Sequence, residues 1–318
     1  MSAPPASPIL YASLILYLAL GAASLGVTLR TRSRPGSQLR MQINSWWLLF
    51  PAVSVSLLLY PLGPALLAGA IGCLALRELA PLYRHAQQVQ YAQYAPSRWR
   101  LAGAAAPLAL LALPVLLALL GLSWYQPRVA LVALPILVAA QLAHFLWRKQ
   151  AGQLLPLLFL ILCYGIGFII QFMHLPLAPE TRLAWLFYLF VMTALNDIGQ
   201  FIVGTALGKR KIAARISPNK TWHGLAGGIL VSVLVSLALG GYLELADAAH
   251  LALFAPLLAV GGFGGDLLFS AAKRFLHIKD FSQLIPGHGG ILDRVDSLVV
   301  TAPLLYFAIC FTLQGSSK

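Results

Sequence analysis

Long apolar runs, separated by short polar segments, fill this chain from end to end. Ten runs can be drawn, each close to the roughly 20 residues that a helix needs to cross about 30 Å of hydrocarbon. They cover about residues 8–29, 44–61, 63–80, 101–121, 128–147, 154–174, 183–204, 222–243, 249–269 and 297–314. The pattern predicts an all-α, polytopic integral membrane protein of about ten transmembrane helices.

Composition agrees with this class, because 59% of the 318 residues are hydrophobic and only 10% are charged. Cys73, Cys163 and Cys310 all lie in apolar runs, so we expect neither a disulfide nor a thiolate metal site. We expect an N-terminal part of anchor and scaffold helices, residues 1–175, and a C-terminal catalytic part, residues 176–318, within one structural unit.

The basic residues predict how the chain is oriented. If the N-terminus lies outside, 19 of the 22 Lys and Arg fall on one side, and only Arg128, Arg182 and Lys318 fall on the other. The positive-inside rule then makes the rich side the cytosol, so we expect a multi-pass protein of the cytoplasmic membrane. A net charge of +13 placed in this way indicates contact with membrane lipid and no binding of nucleic acid.

Charged residues are concentrated near the C-terminus. Eight of the 31 residues from Asp266 to Asp296 are charged, against 23 in the other 287. If the segment is helical, Asp266, Ser270, Lys273 and Arg274 share one face, which aligns a carboxylate, a hydroxyl and two cations. Such a group beside apolar helices indicates a site at the cytosolic end of the C-terminal helices.

The residues that follow suggest phosphate chemistry. Asp293 and Asp296 share the first turn of the next helix, and neighbouring carboxylates need a cation between them, for which oxygen ligands favour Mg²⁺. Before them, the turn at residues 286–290 has glycines that can aim backbone amides at an anion, and His288 would donate a hydrogen bond there. The combination predicts a nucleotide or phosphoryl site.

A second polar group precedes the eighth apolar run. Asp197 interrupts an apolar run, where an uncompensated charge costs about 2.5–3.5 kcal/mol, so it should face a wet cavity or a partner. The following loop carries five cations and leads through Ser217 and Asn219 to Lys220, at the start of the next helix. Lys220 and the amides of that helix could hold a triphosphate, although a topology-setting basic loop explains the cations equally.

These two groups resemble the motifs of the phosphatidate cytidylyltransferase (CDP-diacylglycerol synthase) family. The family signature runs Ser, two residues on Lys-Arg, then Lys-Asp, Pro-Gly-His-Gly-Gly and Asp-Arg-x-Asp. The matching residues are Ser270, Lys273, Arg274, Lys279, Asp280, Ser282, Pro286, His288, Gly289, Gly290, Asp293, Arg294 and Asp296.

Upstream, Asp197, Gly199 and the segment from Ser217 to Gly224 also follow the family pattern, except at His223, where the family has Glu or Gln. Asn196 and Gln200 differ, because the family has alanine at both positions. The resemblance covers about residues 190–305, and Glu78 matches only weakly.

The resemblance implies transfer of CMP from CTP to phosphatidic acid, or to a related phospholipid, with release of pyrophosphate. It implies Mg²⁺, alone or with a second cation, on Asp266, Asp293 and Asp296, and it implies a homodimer. The residues expected to act in catalysis are Asp197, Lys273, Arg274, Asp293 and Arg294. Those expected to bind CTP are Ser217, Asn219, Lys220, Ser270, Lys279, His288, Gly289 and Gly290.

Three other functions use the same charges. A transporter or channel for an anionic solute could bind its cargo there. A divergent member of the family could act on a different phosphorylated lipid, or could bind lipid without turnover. Formation of a CDP-lipid from CTP distinguishes the enzymes from the transporter.

Overall fold

A computed structural model describes residues 7–30, 38–94, 106–285 and 289–315, and almost all of them are helical. The helices are α1 (Ser7–Arg30), α2 (Gln38–Leu58), α3 (Leu62–Tyr94), α4 (Ala106–Tyr125), α5 (Pro127–Arg148), α6 (Ala151–Gln171), α7 (Pro179–Leu207), α8 (Trp222–Val235), α9 (Ala248–Phe275), α10 (Leu292–Val295) and α11 (Leu298–Gly315). A 3₁₀ turn, Phe172–His174, follows α6, and a π-helical turn, Ser236–Gly240, follows α8.

The predicted fold class is confirmed. Each of the ten apolar runs corresponds to a helix, with residues 101–105 outside the described ranges. Within those ranges, eight helical spans are long and apolar enough to cross a membrane, and Ile43–Leu58 and Leu113–Tyr125 are shorter apolar helices. The protein is therefore a polytopic membrane protein, and the division at residue 175 stays a prediction.

Apolar side chains cover much of the outer surface of the helices. On α1, Leu14, Ile15, Leu18 and Leu25 are each more than half exposed. So large an apolar surface on a soluble protein would cause aggregation, whereas lipid tails cover it at no cost.

Helix α6 forms the centre of the bundle. It packs against α3, α4 and α5 on one side and against α11 on the other, and Leu162, Cys163, Ile166 and Ile169 are fully buried. Gly165 lets α6 approach α11 closely, because a Cβ there would overlap the backbone of Val299. Small residues permit this kind of approach between membrane helices.

The C-terminal helices are joined by polar contacts as well as by packing. Helix α7 packs along α8 and α9, and the hydroxyls of Thr193 and Thr301 lie 2.9 Å apart where α7 meets α11. Tyr188 on α7 hydrogen-bonds Ser236 in the π-helical turn at 2.6 Å, and Ser236 donates to the carbonyl of Leu251 on α9 at 2.7 Å. These bonds satisfy buried hydroxyls that have no access to water.

The polar segment between α7 and α8 folds into a hairpin that the sequence pattern did not predict. Strand β1 (Lys211–Ala213) pairs antiparallel with β2 (Ser217–Thr221), with Lys211 opposite Thr221 and Ala213 opposite Ser217. The expected polar turn into α8 is therefore a short, hydrogen-bonded ribbon.

Replacing Gly165 by alanine tests the contact between α6 and α11. We expect Gly165→Ala to destabilise the protein by about 1–3 kcal/mol, because the new methyl meets backbone that cannot yield. Gly121→Ala is the matched control, since a Cβ at Gly121 meets no atom within 4 Å. Thermal unfolding in detergent should give a lower Tm for Gly165→Ala alone, and equal Tm values would contradict the packing.

Candidate active site

The hairpin is fixed at both ends of β2. The hydroxyl of Thr221 accepts a hydrogen bond from the backbone N–H of Gly224 at 3.0 Å, which caps the N-terminus of α8. Before β2 begins, the carbonyl of Ile216 accepts from Nε of Arg274, near the end of α9, at 3.1 Å. The hairpin therefore holds Lys220 against α9.

Lys220 pairs with the first predicted site carboxylate. Its Nζ lies 2.6 Å from Oδ2 of Asp266 on α9 and 3.3 Å from Oε1 of Gln200 on α7. The ammonium also lies 4.6 Å from the centre of the Phe263 ring. The other oxygen of Asp266 accepts from Ser270 Oγ at 3.2 Å, in keeping with the predicted shared helix face.

Two further carboxylates belong to the same charged group. Ser297 donates its hydroxyl to Oδ1 of Asp197 at 3.3 Å and its backbone N–H to Oδ1 of Asp296 at 2.9 Å. Asp296 also experiences the negative charges of Asp266 and Asp197. Acids from α7, α9 and the segment between α10 and α11 thus lie near one another.

Asp293 forms a second ion pair. Its Oδ1 lies 2.6 Å from Nζ of Lys273, and the two side chains are 4% and 13% exposed. Its Oδ2 accepts from the backbone N–H groups of Phe281 and Gly290, at 3.3 and 2.9 Å. Lys273 follows Asp266 by seven residues on α9, so the two ion pairs lie along one helix, separated by about 10 Å of helical rise.

The glycines before Asp293 are required by its close approach. Gly289 has a φ of +81°, and a Cβ there would lie 2.8 Å from Oδ2 of Asp293. The carbonyl of Gly289 accepts from the N–H of Ile285 at 2.8 Å, which closes the loop. His288, predicted to donate a hydrogen bond to phosphate, lies outside the described residues.

The remaining predicted residues differ in exposure. Asn219, Arg274, Lys279 and Arg294 are exposed, and Ser217 is partly buried. Arg294 acts electrostatically on both Asp197 and Asp296. Exposed cations beside paired carboxylates remain accessible to an anionic ligand.

Two buried side-chain amides, those of Asn196 and Gln200, lie in this region. In the sequence they stand out only as departures from the family pattern. Asn196 and Gln200 lie one turn apart on α7 and are 1% and 7% exposed. Within the described part of the chain, Nδ2 of Asn196 and Nε2 of Gln200 have no hydrogen-bond partner. Gly228 on α8 makes room for them, since a Cβ there would contact both side chains.

The acids near the first ion pair carry the type of donor atom that a hard divalent cation prefers. Asp197, Asp266 and Asp296 offer only oxygen ligands, which Mg²⁺ prefers. As the side chains stand, no three His, Cys, Asp or Glu residues of the described ranges form a metal-binding group. Lys220 instead supplies the positive charge at Asp266.

Fold and site together define a polytopic membrane protein with a polar, phosphate-compatible site among its C-terminal helices. Residues 40–312 match the model of the Cytidylyltransferase family. The chain belongs to that family, in agreement with the resemblance of its motifs.

Individual relatives are similar over part of the chain. The phosphatidate cytidylyltransferase of Bacillus subtilis is 42% identical over 128 residues, which are 40% of this chain and 48% of the relative. That of Staphylococcus aureus is 39% identical over 145 residues, 44% of this chain and 53% of the relative. Uncharacterized protein YnbB of Escherichia coli is 41% identical over 122 residues, 38% of this chain and 41% of the relative. The matches thus span about half the length of these relatives.

A double-mutant cycle tests the pair of Lys273 and Asp293. We expect Lys273→Met and Asp293→Asn each to lower the Tm, because each leaves a buried polar partner unpaired. The double variant should lose less unfolding free energy than the two single variants together. We expect a coupling free energy of about 1–3 kcal/mol, measured by thermal unfolding in detergent.

The control cycle uses Asp247→Asn and His250→Gln, an exposed pair with a distance of 2.7 Å. Its coupling should be close to zero. Additive losses at Lys273 and Asp293 would mean that the two side chains do not interact.

Proposed function

We propose that this protein is a membrane-embedded cytidylyltransferase, which transfers CMP from CTP to phosphatidic acid and yields CDP-diacylglycerol and pyrophosphate. The observation that carries the proposal is the pair of Lys–Asp contacts along α9, Lys220 with Asp266 and Lys273 with Asp293, each 2.6 Å long. Family membership favours this reaction over an anionic-solute transporter. Relatives named phosphatidate cytidylyltransferase support the choice of phosphatidic acid.

The reaction needs no protein nucleophile. A phosphate oxygen of the lipid attacks the α-phosphorus of CTP and forms the new P–O bond. The bond from that phosphorus to the bridging oxygen of the β-phosphate breaks, and its electron pair leaves with pyrophosphate. The protein therefore has to align two anions and offset their charge.

The cations of the site would offset that charge. Carboxylates hold Lys220 and Lys273 inside the site, so each ammonium group would need only a small movement to contact a phosphate. Arg274 and Arg294, both exposed, would bind the outer phosphates or the leaving pyrophosphate. Lys279, with Ser217, Asn219 and Ser270, would complete the nucleotide contacts.

Mg²⁺ would be held by Asp197, Asp266 and Asp296. When bound, it would neutralise phosphate charge and polarise a phosphoryl oxygen. Asp293 was also predicted to be a ligand. Both of its oxygens accept hydrogen bonds from the protein, so it would have to exchange one of these bonds for the metal, and its role as a ligand stays a prediction. The amide of Gly289, with His288, is proposed to contact phosphate. The contact predicted for Gly290 would require its amide to leave Asp293, to which it donates at 2.9 Å.

The charge distribution supports a site that faces the cytosol from the cytoplasmic membrane, where CTP is available. Phosphatidic acid would keep its acyl chains in lipid while its phosphate enters the polar end of the helices. The homodimer implied by the family resemblance remains part of this proposal.

Turnover of radiolabelled CTP tests the proposed reaction. In detergent with phosphatidic acid and Mg²⁺, the protein should form labelled CDP-diacylglycerol, and Asp266→Asn should lower kcat by about 100-fold or more, because Lys220 loses its charged partner and Mg²⁺ would lose one carboxylate ligand. Glu180→Gln, at an exposed carboxylate at the start of α7, is the matched control and should retain full activity. Absence of any CDP-lipid with every phosphorylated lipid tried would contradict a cytidylyltransferase.

A different phosphorylated lipid as acceptor is the second candidate, and the buried amides of Asn196 and Gln200 favour it. Each has an N–H group without a partner in the described part of the chain. Leaving such a donor unpaired costs about 1–3 kcal/mol, which an acceptor oxygen on the substrate would recover. The family motif has alanine at both positions. An acceptor lipid with an additional oxygen that binds these amides would therefore differ from phosphatidic acid.

Kinetics with a panel of phosphorylated lipids would decide whether phosphatidic acid or another phosphorylated lipid is the preferred acceptor. We expect Gln200→Ala to change the ratio of kcat/KM between the preferred acceptor and other phosphorylated lipids by about 10-fold, which is about 1.4 kcal/mol. Gln141→Ala is the control, because Gln141 hydrogen-bonds Gln153 between α5 and α6. A ratio unchanged by Gln200→Ala would remove the amides from acceptor recognition.

A further inference from the structure

Glu78 lies on α3, in the N-terminal half of the chain, yet its carboxylate contacts the site segment. The side chain belongs to the buried set, at 5% exposure. Its neighbour Arg77 is exposed. A buried carboxylate needs donors to replace its lost hydration, so the identity of those donors indicates its role.

The donors all come from the segment that precedes α11. The backbone N–H of Ile291 donates to Oε1 of Glu78 at 2.6 Å, and that of Leu292 donates to Oε2 at 3.1 Å. The hydroxyl of Ser282 donates to Oε1 at 2.7 Å. One side chain therefore binds two parts of a loop that lies more than 200 residues away along the chain.

These contacts supply a helix cap that the local sequence lacks. Ile291 opens α10 and has no side-chain oxygen to accept the first amides. Glu78 accepts them instead, which replaces the hydration that these backbone donors lose on burial. The short helix that carries Asp293 and Arg294 thus receives its cap from α3.

The amides of this turn are divided between Glu78 and the site. Gly290 donates its N–H to Asp293 at 2.9 Å, and the next two amides donate to Glu78. There is no room for a side chain between them, because a Cβ on Gly290 would lie 2.7 Å from Oε1 of Glu78. Moving the Glu78 carboxylate would therefore move the backbone that orients Asp293 towards Lys273.

We propose that Glu78 is a positioning residue of the site: by holding Ser282, Ile291 and Leu292, it fixes the segment that carries Asp293 and Arg294. The N-terminal helices then set the geometry of the charged site as well as anchoring it. The kinetic part of this inference rests on the proposed cytidylyltransferase activity, whereas the structural part does not.

Hydrogen exchange measures the structural part without any substrate. Glu78→Gln keeps the size of the side chain but presents an NH₂ group to a backbone donor, so we expect faster exchange in peptides that cover residues 289–295. Peptides from α6 and α9 should exchange as in the unaltered protein. Glu180→Gln removes a charge elsewhere and serves as the matched control. Unchanged exchange over residues 289–295 would overturn the inference.

Kinetics distinguish positioning from plain stabilisation. We expect Glu78→Gln to lower kcat about 10-fold in the folded fraction, with the KM for CTP within about twofold. Glu78→Asp, which keeps the charge, should recover part of the loss. A residue that only stabilises the fold would lower the Tm and leave the kcat of folded protein unchanged, and that result would contradict positioning.

Ser282→Ala provides a milder variant in case Glu78→Gln does not fold. It removes one of the three donors, so it should cause smaller changes in exchange and kcat in the same direction. If the unaltered protein makes no CDP-lipid, the proposed function fails, and the exchange measurement still decides whether Glu78 holds the segment.

Discussion

The structure depends on giving the buried and half-buried carboxylates at the polar ends of its membrane helices a partner. An acid that faced lipid alone would cost several kcal/mol, and breaking a buried pair is costlier still. Asp266 has Lys220, Asp293 has Lys273, and Glu78 has two backbone amides and a hydroxyl. Each pair joins elements that are distant in sequence, so the same contacts that make the acids tolerable also assemble the site.

This requirement explains why the site contains cations and acids in near balance. A lysine held by a carboxylate is already desolvated and oriented, so little reorganisation is needed when a phosphate arrives. In the proposed reaction, the carboxylates that the lysine leaves would then be free to bind a divalent cation, which prefers oxygen ligands. The hairpin between α7 and α8 carries Lys220, and α9 carries Asp266 and Lys273. A substrate phosphate could therefore reach both ion pairs from one face of α9.

The sequence predicted the helices and the shared helix face of Asp266 and Ser270. Hydrophobic runs of membrane length need no tertiary information, and the spacing of Asp266 and Ser270 already implied one helix face. The hairpin escaped prediction because β1 and β2 together contain few apolar residues and no alternation, so only the structure reveals their pairing. Glu78 appeared only as a weak match to the family, and its contacts escaped prediction for a different reason: two of its three donors are backbone amides more than 200 residues away, and backbone groups leave no signal in the sequence.

The central claim is that the hairpin holds Lys220 against Asp266 on α9, and cross-linking tests it most directly. Lys220→Cys and Asp266→Cys would be combined in a protein whose Cys73, Cys163 and Cys310 are replaced by alanine. After treatment with a short thiol-reactive linker, protease cleavage between α8 and α9 should leave the two fragments joined. Asp266→Cys combined with Glu180→Cys, at the opposite end of α7 on the other side of the cleavage point, should leave them separate. Separate fragments from the first pair, with both cysteines reactive, would contradict the arrangement of the site.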